Sequence, residues 1–397
     1  MTQKRVLLGW DLGAGIGYVQ KLRTIALALS KAGFAPILAL RSLDPSHSIL
    51  SDLPFPVIQA PYITGRLTAE AEQHGFRPTS FADLMACNGF GSVDHLYSMV
   101  RGWRDLIDIV KPELIVGTHC PLLTVAAYRR IPVVLFGSPY YTPPAHEDTF
   151  PAFFPDQPPY ANQQQMLETV QQVQRMFGAP MPDCITEIYR GDHRCITVVP
   201  ELDPYREWRT ETCDGIFDAC CPVQKSRGVG FYAYLAGTSD LTYLIVETLL
   251  RSGLTGSIYV RDASVDRWEL PVSDRVRIHR AAPELNRIVR SAAVVIHHGG
   301  PGTAQAALAA GVPQILIPQV LDQWLSARAL GVLPFVRSLV DEVTGDEILR
   351  AVESIYHNEG CETDAHEFAR SIRQRGLHNA KQKIIDACLQ ELRSGSK

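Results

Sequence analysis

Short apolar runs alternate along the chain with longer stretches in which apolar residues return every three or four positions. Val6–Leu8 is a brief apolar run ending in glycine. Tyr18–Ala32 then places Val19, Leu22, Ile25, Ala26 and Leu29 on one helical face, with Gly33 just past its end. Pro36–Leu40, Leu114–Val116, Val133–Phe136 and Ile196–Val199 read as further strands, and Val93–Val110, Leu122–Arg130 and Ala161–Met176 as helices. The rhythm restarts with strands at Phe231–Leu235, Ser257–Val260, Val276–His279, Ala293–His297 and Gln314–Ile317. Helices are predicted between and after them at Leu241–Ser252, Glu284–Ser291, Thr303–Ala310 and Asp322–Leu330. Thr363–Leu392 is predicted helical and Ser394–Lys397 frayed. Strand–helix alternation of this kind predicts an α/β fold of doubly wound, mostly parallel sheets.

Two stretches break the rhythm. Pro139–Pro159 holds seven prolines and several aromatics and reads as a long extended loop, of the kind that is usually functional or mobile. Pro200–Arg227 lacks periodicity and reads as an interdomain connection. The 397 residues then divide into an N-terminal domain over 1–217 and a C-terminal domain over 228–397. Two Rossmann-like domains in tandem are expected to face a central cleft, with ligands at the carboxyl ends of their strands.

Composition narrows the function classes. Hydrophobic residues at 46% and charged residues at 20% describe a globular chain. A net charge of -4, with no long run of Lys or Arg, argues against a nucleic-acid partner. The apolar start MTQKRVLLGWDLG is too short for a signal peptide, and no window has the length of a transmembrane helix, so a cytoplasmic location is expected. Nine cysteines, at 87, 120, 184, 195, 213, 220, 221, 361 and 388, form no CxxC pair. They read as reduced thiols and not as a zinc site, although the vicinal Cys220–Cys221 pair could oxidise.

The segment AAVVIHHGGPGTAQAALAAGVPQILIPQ carries the chemistry. A buried strand delivers the chain to its carboxyl end, where Gly299, Gly300 and Gly302 allow a ligand close to the backbone. A helix beginning at about Thr303 offers free N–H groups and a positive dipole end to an anion. Thr303 can cap that helix or donate to a phosphate oxygen, and His298 adds a side-chain donor. No GK[ST] follows, so this is not a Walker loop. At the N-terminus, Gly13, Gly15 and Gly17 do not complete a GxGxxG fingerprint, because Tyr18 stands at the last position and the next strand ends in Arg41. A nicotinamide cofactor is disfavoured.

HHGGPGT, AALAAGVPQILIPQ and LDQ together resemble the donor-site signature of the UDP-glycosyltransferase-like superfamily, especially its bacterial natural-product members. GAGIGYVQKLRTIALALSKAGF resembles its first loop and helix, and VVPELDPY a segment before its interdomain linker. The resemblance implies a GT-B fold and an inverting nucleotide-sugar-dependent transferase of hexosyl type, without an obligatory metal or bound cofactor. Its expected partners are a UDP- or dTDP-linked sugar and a small-molecule acceptor. By the same resemblance, His298 would bond a diphosphate oxygen, and Gly299, Gly300, Gly302 and Thr303 would cradle the phosphates. Asp322 and Gln323 would bond sugar hydroxyls, and Ala282 and Pro283 would line the nucleobase slot. Asp322 also reads as a helix N-cap.

The chain departs from that family where the acceptor is activated. Tyr18 stands where a histidine base is usual, and Thr118 stands where its orienting aspartate is usual. His119, Asp11 and Tyr18 are the candidates for an alternative base; a structural loop histidine is the competing reading for His119, and packing at the first helix for Tyr18. An acceptor that is already nucleophilic is a second explanation. A catalytically silent partner protein is a third, and a sugar-nucleotide hydrolase or epimerase is a further enzymatic alternative.

Overall fold

The computed structural model describes residues 3–394 except 14, 44–46, 64–77, 155–156, 158–159, 219–228, 238, 262–264 and 341; Cys220, Cys221 and Ser396 lie outside the described residues. Contacts divide the chain into two compact units. The first comprises Met1–Thr197, Tyr205–Asp214 and Ala380–Lys397, and the second Val198–Pro204 and Gly215–Asn379.

Unit one is built on six parallel strands: β1 (Arg5–Trp10), β2 (Ala35–Leu40), β3 (Val57–Gln59), β4 (Leu114–Gly117), β5 (Val133–Gly137) and β6 (His193–Ile196). Their order is β3-β2-β1-β4-β5-β6. β1 and β4 are buried on both faces, and this explains why they read as unbroken apolar runs without alternation. The helix Ile16–Lys31 turns Val19, Leu22, Ile25, Ala26 and Leu29 inward, as its spacing predicts.

β6 lies three residues before the predicted Ile196–Val199. The chain leaves β5 after Ile196, and Val198 and Val199 stay buried without sheet pairing; burial supplied an apolar signal with no strand behind it. The proline-rich loop is anchored. Phe150 and Phe153 are buried, and the Gln163 side chain brackets Phe150 through both backbone groups, accepting from its N–H at 2.8 Å and donating to its carbonyl at 3.0 Å.

Unit two repeats the plan with β7 (Phe231–Ala236), β8 (Gly256–Arg261), β9 (Val276–His279), β10 (Val294–His297), β11 (Gln314–Leu316) and β12 (Val336–Ser338). Their order is β12-β11-β10-β7-β8-β9, all parallel. Each sheet therefore reverses direction once beside its first strand, between β1 and β4 in unit one and between β7 and β10 in unit two. Doubly wound sheets bind ligands outside the carboxyl ends of the strands at this reversal.

The region predicted as one C-terminal helix is two, Glu359–Gln374 and Ala380–Ser394, separated by Gly376 at φ 71°. The last helix belongs to unit one and not to the unit whose sequence it follows, so the C-terminal domain does not extend to 397. Its stripe of Ala380, Ile384, Cys388 and Leu392 is buried. Lys383 pairs with Asp214 at 3.2 Å, and Glu391 lies 2.9 Å from His193. Among the described residues no helix is long and apolar enough to cross a membrane.

Candidate functional site

The turn after β10 stands at the reversal point of the second sheet. Gly299 has φ 93°, and a Cβ there would lie 3.0 Å from the Gln323 carbonyl oxygen and 3.2 Å from Leu316, so the fold itself requires glycine. Gly300 and Gly302 differ. A Cβ on either would meet nothing within 4 Å, so internal packing does not demand them and open space lies over the turn. Gly300 is the N-cap of the helix Pro301–Ala310, and Pro301 occupies its first position, where a missing N–H costs nothing. Thr303 is therefore the third helical residue and not the cap, and it is buried.

The two histidines have separate tasks. The Nδ1 of His297 accepts the Gly299 N–H at 2.9 Å, which leaves its Nε2–H to donate to Gln314 Oε1 at 2.9 Å. Both nitrogens are used inside the protein, and burial pushes the pKa of this imidazole down to about 4. His298 Nδ1–H donates to the Ile317 carbonyl at 2.9 Å. Its Nε2 faces the Gln319 amide nitrogen at 3.3 Å, and burial lowers its pKa from the ordinary value, with the Arg261 charge acting the same way.

No pattern in the sequence singles out Gln319. Its amide nitrogen also reaches Thr242 Oγ1 at 3.2 Å, and its Oε1 accepts from Ser239 at 3.3 Å. Ser239 caps the helix Asp240–Arg251 after β7. The Ser-Asp pair before an apolar helical run signals a cap, but only the sheet order brings it beside His298.

Asp322 is the second residue of the helix Leu321–Leu330, whose N-cap is Val320, so Asp322 is not the cap. Gln323 does that work from inside the helix: its Oε1 accepts the N–H of Gln319 at 2.8 Å and of Val320 at 3.3 Å. Burial raises the Asp322 carboxyl above the usual range. Ala282 and Pro283 follow β9 at the same carboxyl edge, with Ala282 exposed. A pocket of about 280 Å³ lined by Val265, Asp266, Trp268, Leu270, Ile278 and Arg280 lies at that end of the sheet.

In unit one the loop after β1 meets the loop after β4. Both carboxylate oxygens of Asp11 are turned to the start of the helix Pro121–Ala127, accepting the Leu123 N–H at 2.9 Å and the Leu122 N–H at 3.5 Å. Burial pushes its pKa up to about 8 against those bonds and against the Arg41 charge. This geometry makes Asp11 a helix anchor. His119 is buried at φ 46°, and its carbonyl accepts the Leu12 N–H at 2.9 Å. Its ring stacks on Tyr141 at 4.9 Å, and its Nδ1 lies 3.2 Å from the Tyr18 hydroxyl. Nε2 is buried without a hydrogen-bond partner. Burial and Arg41 push the His119 pKa down to about 3. Gly13, at φ 79°, is fixed by this ring, because a Cβ there would lie 2.6 Å from His119 Nδ1. Tyr18 stacks on Trp10 at 5.1 Å.

Tyr18 and His119 are thus brought together, as are His298, Gly299 and Gln323. A pocket of about 490 Å³ also opens at the amino end of β5, lined by Tyr128, Arg129, Arg130, Glu187, Arg190 and Asp192. Its cations are answered by acids, Arg129 and Arg190 by Glu187 and Arg130 by Asp108, and it lies at the wrong edge of the sheet for the ligand position expected of this fold.

Known proteins extend this geometry. Residues 260–377 match the family described as erythromycin biosynthesis protein CIII-like, C-terminal domain. Aclacinomycin-T 2-deoxy-L-fucose transferase of Streptomyces galilaeus is 38% identical over 142 residues, 34% of this chain and 31% of that protein. The matched stretches of two further curated glycosyltransferases span only 12% and 18% of their lengths. The calicheamicin glycosyltransferase CalG4 superposes over 100% of both chains with a TM-score of 0.71 at 15% identity. The spinosyn rhamnosyltransferase SpnG in complex with thymidine diphosphate covers 94% of this chain and 96% of its own, with a TM-score of 0.62 at 18% identity. The fold is GT-B, two parallel-sheet α/β domains.

Proposed function

We propose that this chain, which carries an erythromycin biosynthesis CIII-like C-terminal domain on a GT-B fold, is a natural-product glycosyltransferase that moves a hexosyl group from a nucleoside diphosphate to a small-molecule acceptor with inversion. The observation that carries the reading is the open space over Gly300 and Gly302 at a helix N-terminus beside His298. A departing diphosphate gains negative charge in the transition state, and fixed N–H donors placed where that charge develops lower the barrier. The helix Pro301–Ala310 supplies such donors, with His298 beside them. Asp322 and the amide of Gln323 bind sugar hydroxyls, and Ala282 and Pro283 line the base. A relative solved with thymidine diphosphate supports a pyrimidine nucleotide, uridine or thymidine. Tyr18 lines the acceptor site with the buried His119 packed behind it, and the reaction runs without a metal in the cytoplasm.

The test is release of UDP or dTDP from a panel of sugar nucleotides, with and without acceptors, together with mass spectrometry of the glycosylated product. Acceptor-dependent release supports transfer, and acceptor-independent release would make the protein a hydrolase. Tight nucleotide binding with no turnover, beside a co-purifying enzyme, would make it a silent partner.

A further inference from the structure

None of the three candidate bases is placed to remove a proton. The Asp11 carboxylate is committed to the N–H groups of Leu122 and Leu123. The His119 ring is enclosed by Phe81, Tyr141 and Tyr18. Tyr18 is a phenol, a group that ionises near pH 10 in the ordinary case. A site lined this way suits an acceptor that brings no proton to be removed.

The same place holds an under-used cation. Arg41 follows β2 at the carboxyl edge of the sheet. Its Nη1 donates to the Gly13 carbonyl at 2.6 Å, and its guanidinium lies over the Tyr62 ring at 5.1 Å. Its Nε is buried with no hydrogen-bond partner, and among the described residues no carboxylate forms an ion pair with it. Its backbone is held, since Gln59 donates to the Arg41 carbonyl at 2.6 Å. The charge acts on both Asp11 and His119, which places it at this loop cluster. A buried guanidinium N–H without an acceptor is costly, and a carboxylate or phenolate satisfies it with a charge-assisted bond. The half-buried ring of Tyr18 and the exposed ring of Tyr62 under the guanidinium offer faces on which a flat partner can stack.

We infer that the acceptor is an aromatic oxyanion, a carboxylate or an acidic phenol, ionised before it binds and held by Arg41. This rests on the glycosyltransferase reading. In the step, the ionised oxygen brings its own electron pair to the anomeric carbon while the bond from that carbon to the phosphate oxygen breaks. The electron pair leaves with the nucleoside diphosphate, whose negative charge rises by one as the acceptor's falls by one. No proton is removed, so no base is required.

The experiment measures binding of 2-naphthoate and of neutral 2-naphthamide to the full chain by calorimetry, and repeats it with Arg41→Gln and Arg41→Lys. Naphthoate is expected to bind about tenfold or more tightly than the amide, as for a hydrogen-bonded charge pair. The preference should vanish in Arg41→Gln and persist in Arg41→Lys, while affinity for UDP and dTDP is unchanged in both. Equal affinity for the two naphthyl compounds, no saturable naphthoate binding, or a preference that survives Arg41→Gln would overturn the inference. Nucleotide release with 2-naphthoate or with ionised 4-nitrophenol then tells a carboxylate from a phenolate acceptor. Failure of the glycosyltransferase reading would show instead as absent nucleotide binding with the naphthoate preference intact.

Discussion

The carbonyl oxygen of Ile317 lies 2.9 Å from His298 Nδ1 and fixes the proton of the neutral ring on that nitrogen. His298 Nε2 then carries a lone pair, which suits the Gln319 amide now facing it but not an ionised phosphate oxygen. To donate to a diphosphate the ring must become imidazolium. Nucleotide binding is therefore expected to be accompanied by proton uptake, because burial holds the free ring's pKa below the ordinary histidine value and a bound diphosphate would favour the charged ring. The groups facing it are His297 and the Arg261 charge. Affinity should rise as pH falls and level off below the free ring's pKa. Calorimetry in two buffers of different ionisation enthalpy reads this directly, and His298→Asn should lose the uptake and bind UDP or dTDP about 10–100-fold more weakly.

Gly299 and Gly302 should respond oppositely to one added methyl. Gly299→Ala forces a side chain to φ 93° against the Gln323 carbonyl and should cost about 1–3 kcal/mol of stability. Gly302→Ala adds a methyl to an exposed position of a helix and should leave the melting temperature unchanged or raised, by up to about 1 kcal/mol of stability. It should nevertheless weaken nucleotide binding, since the methyl stands in the open space over the turn. Thermal melts paired with nucleotide titrations separate the two effects.

Asp11→Ala should destabilise unit one by about 1–3 kcal/mol, because two backbone N–H groups lose their acceptor. Nucleotide affinity should be untouched. A variant with native stability and no turnover would give Asp11 a chemical role instead.

His119 and His297 are buried neutral imidazoles whose pKa values are depressed to about 3 and about 4. The unfolded chain binds protons at these positions near pH 6.5, so it holds more protons than the folded one below that value. Their contribution to stability is complete above pH 6.5 and is lost progressively as pH falls towards 4 and then 3. Asp11, with its pKa raised to about 8, works in the opposite direction over this range, so the test is a difference: the melting temperature of His119→Phe should gain on that of the unsubstituted chain as pH falls from 7.5 to 4. Because His119 is not the base of this reading, His119→Phe should retain turnover within about tenfold, well short of the 10²–10⁴-fold loss of a general base.

Strands with long apolar runs and helices with a clean inward stripe were legible from residue pattern, because burial and period coincide in them. β12 was not, since three residues between two helices carry no period. The glycine-rich turn after β10 could be placed from glycine spacing after a buried strand. The resemblance singled out His298, but the internal bonds that hold His297 and His298 were not legible, because they depend on Gln314 and Ile317, residues of the neighbouring strand and the turn after it. In the sequence, Arg41 marks only the end of a strand that lacks an acid. Its meeting with Gly13 and His119 follows from β2 and β4 flanking β1, a relationship carried by topology and not by local sequence.

The helix Ala380–Ser394 completes the unit that begins the chain. During synthesis, the stripe of Ala380, Ile384, Cys388 and Leu392 is made after the whole of the second unit, so the first unit is finished after the second. Until then the part of that unit it covers waits unsealed while the second unit is already complete. A cut near residue 217 would accordingly not yield two self-sufficient halves. The first fragment would lack its closing helix, and the second would carry that helix as a sticky orphan.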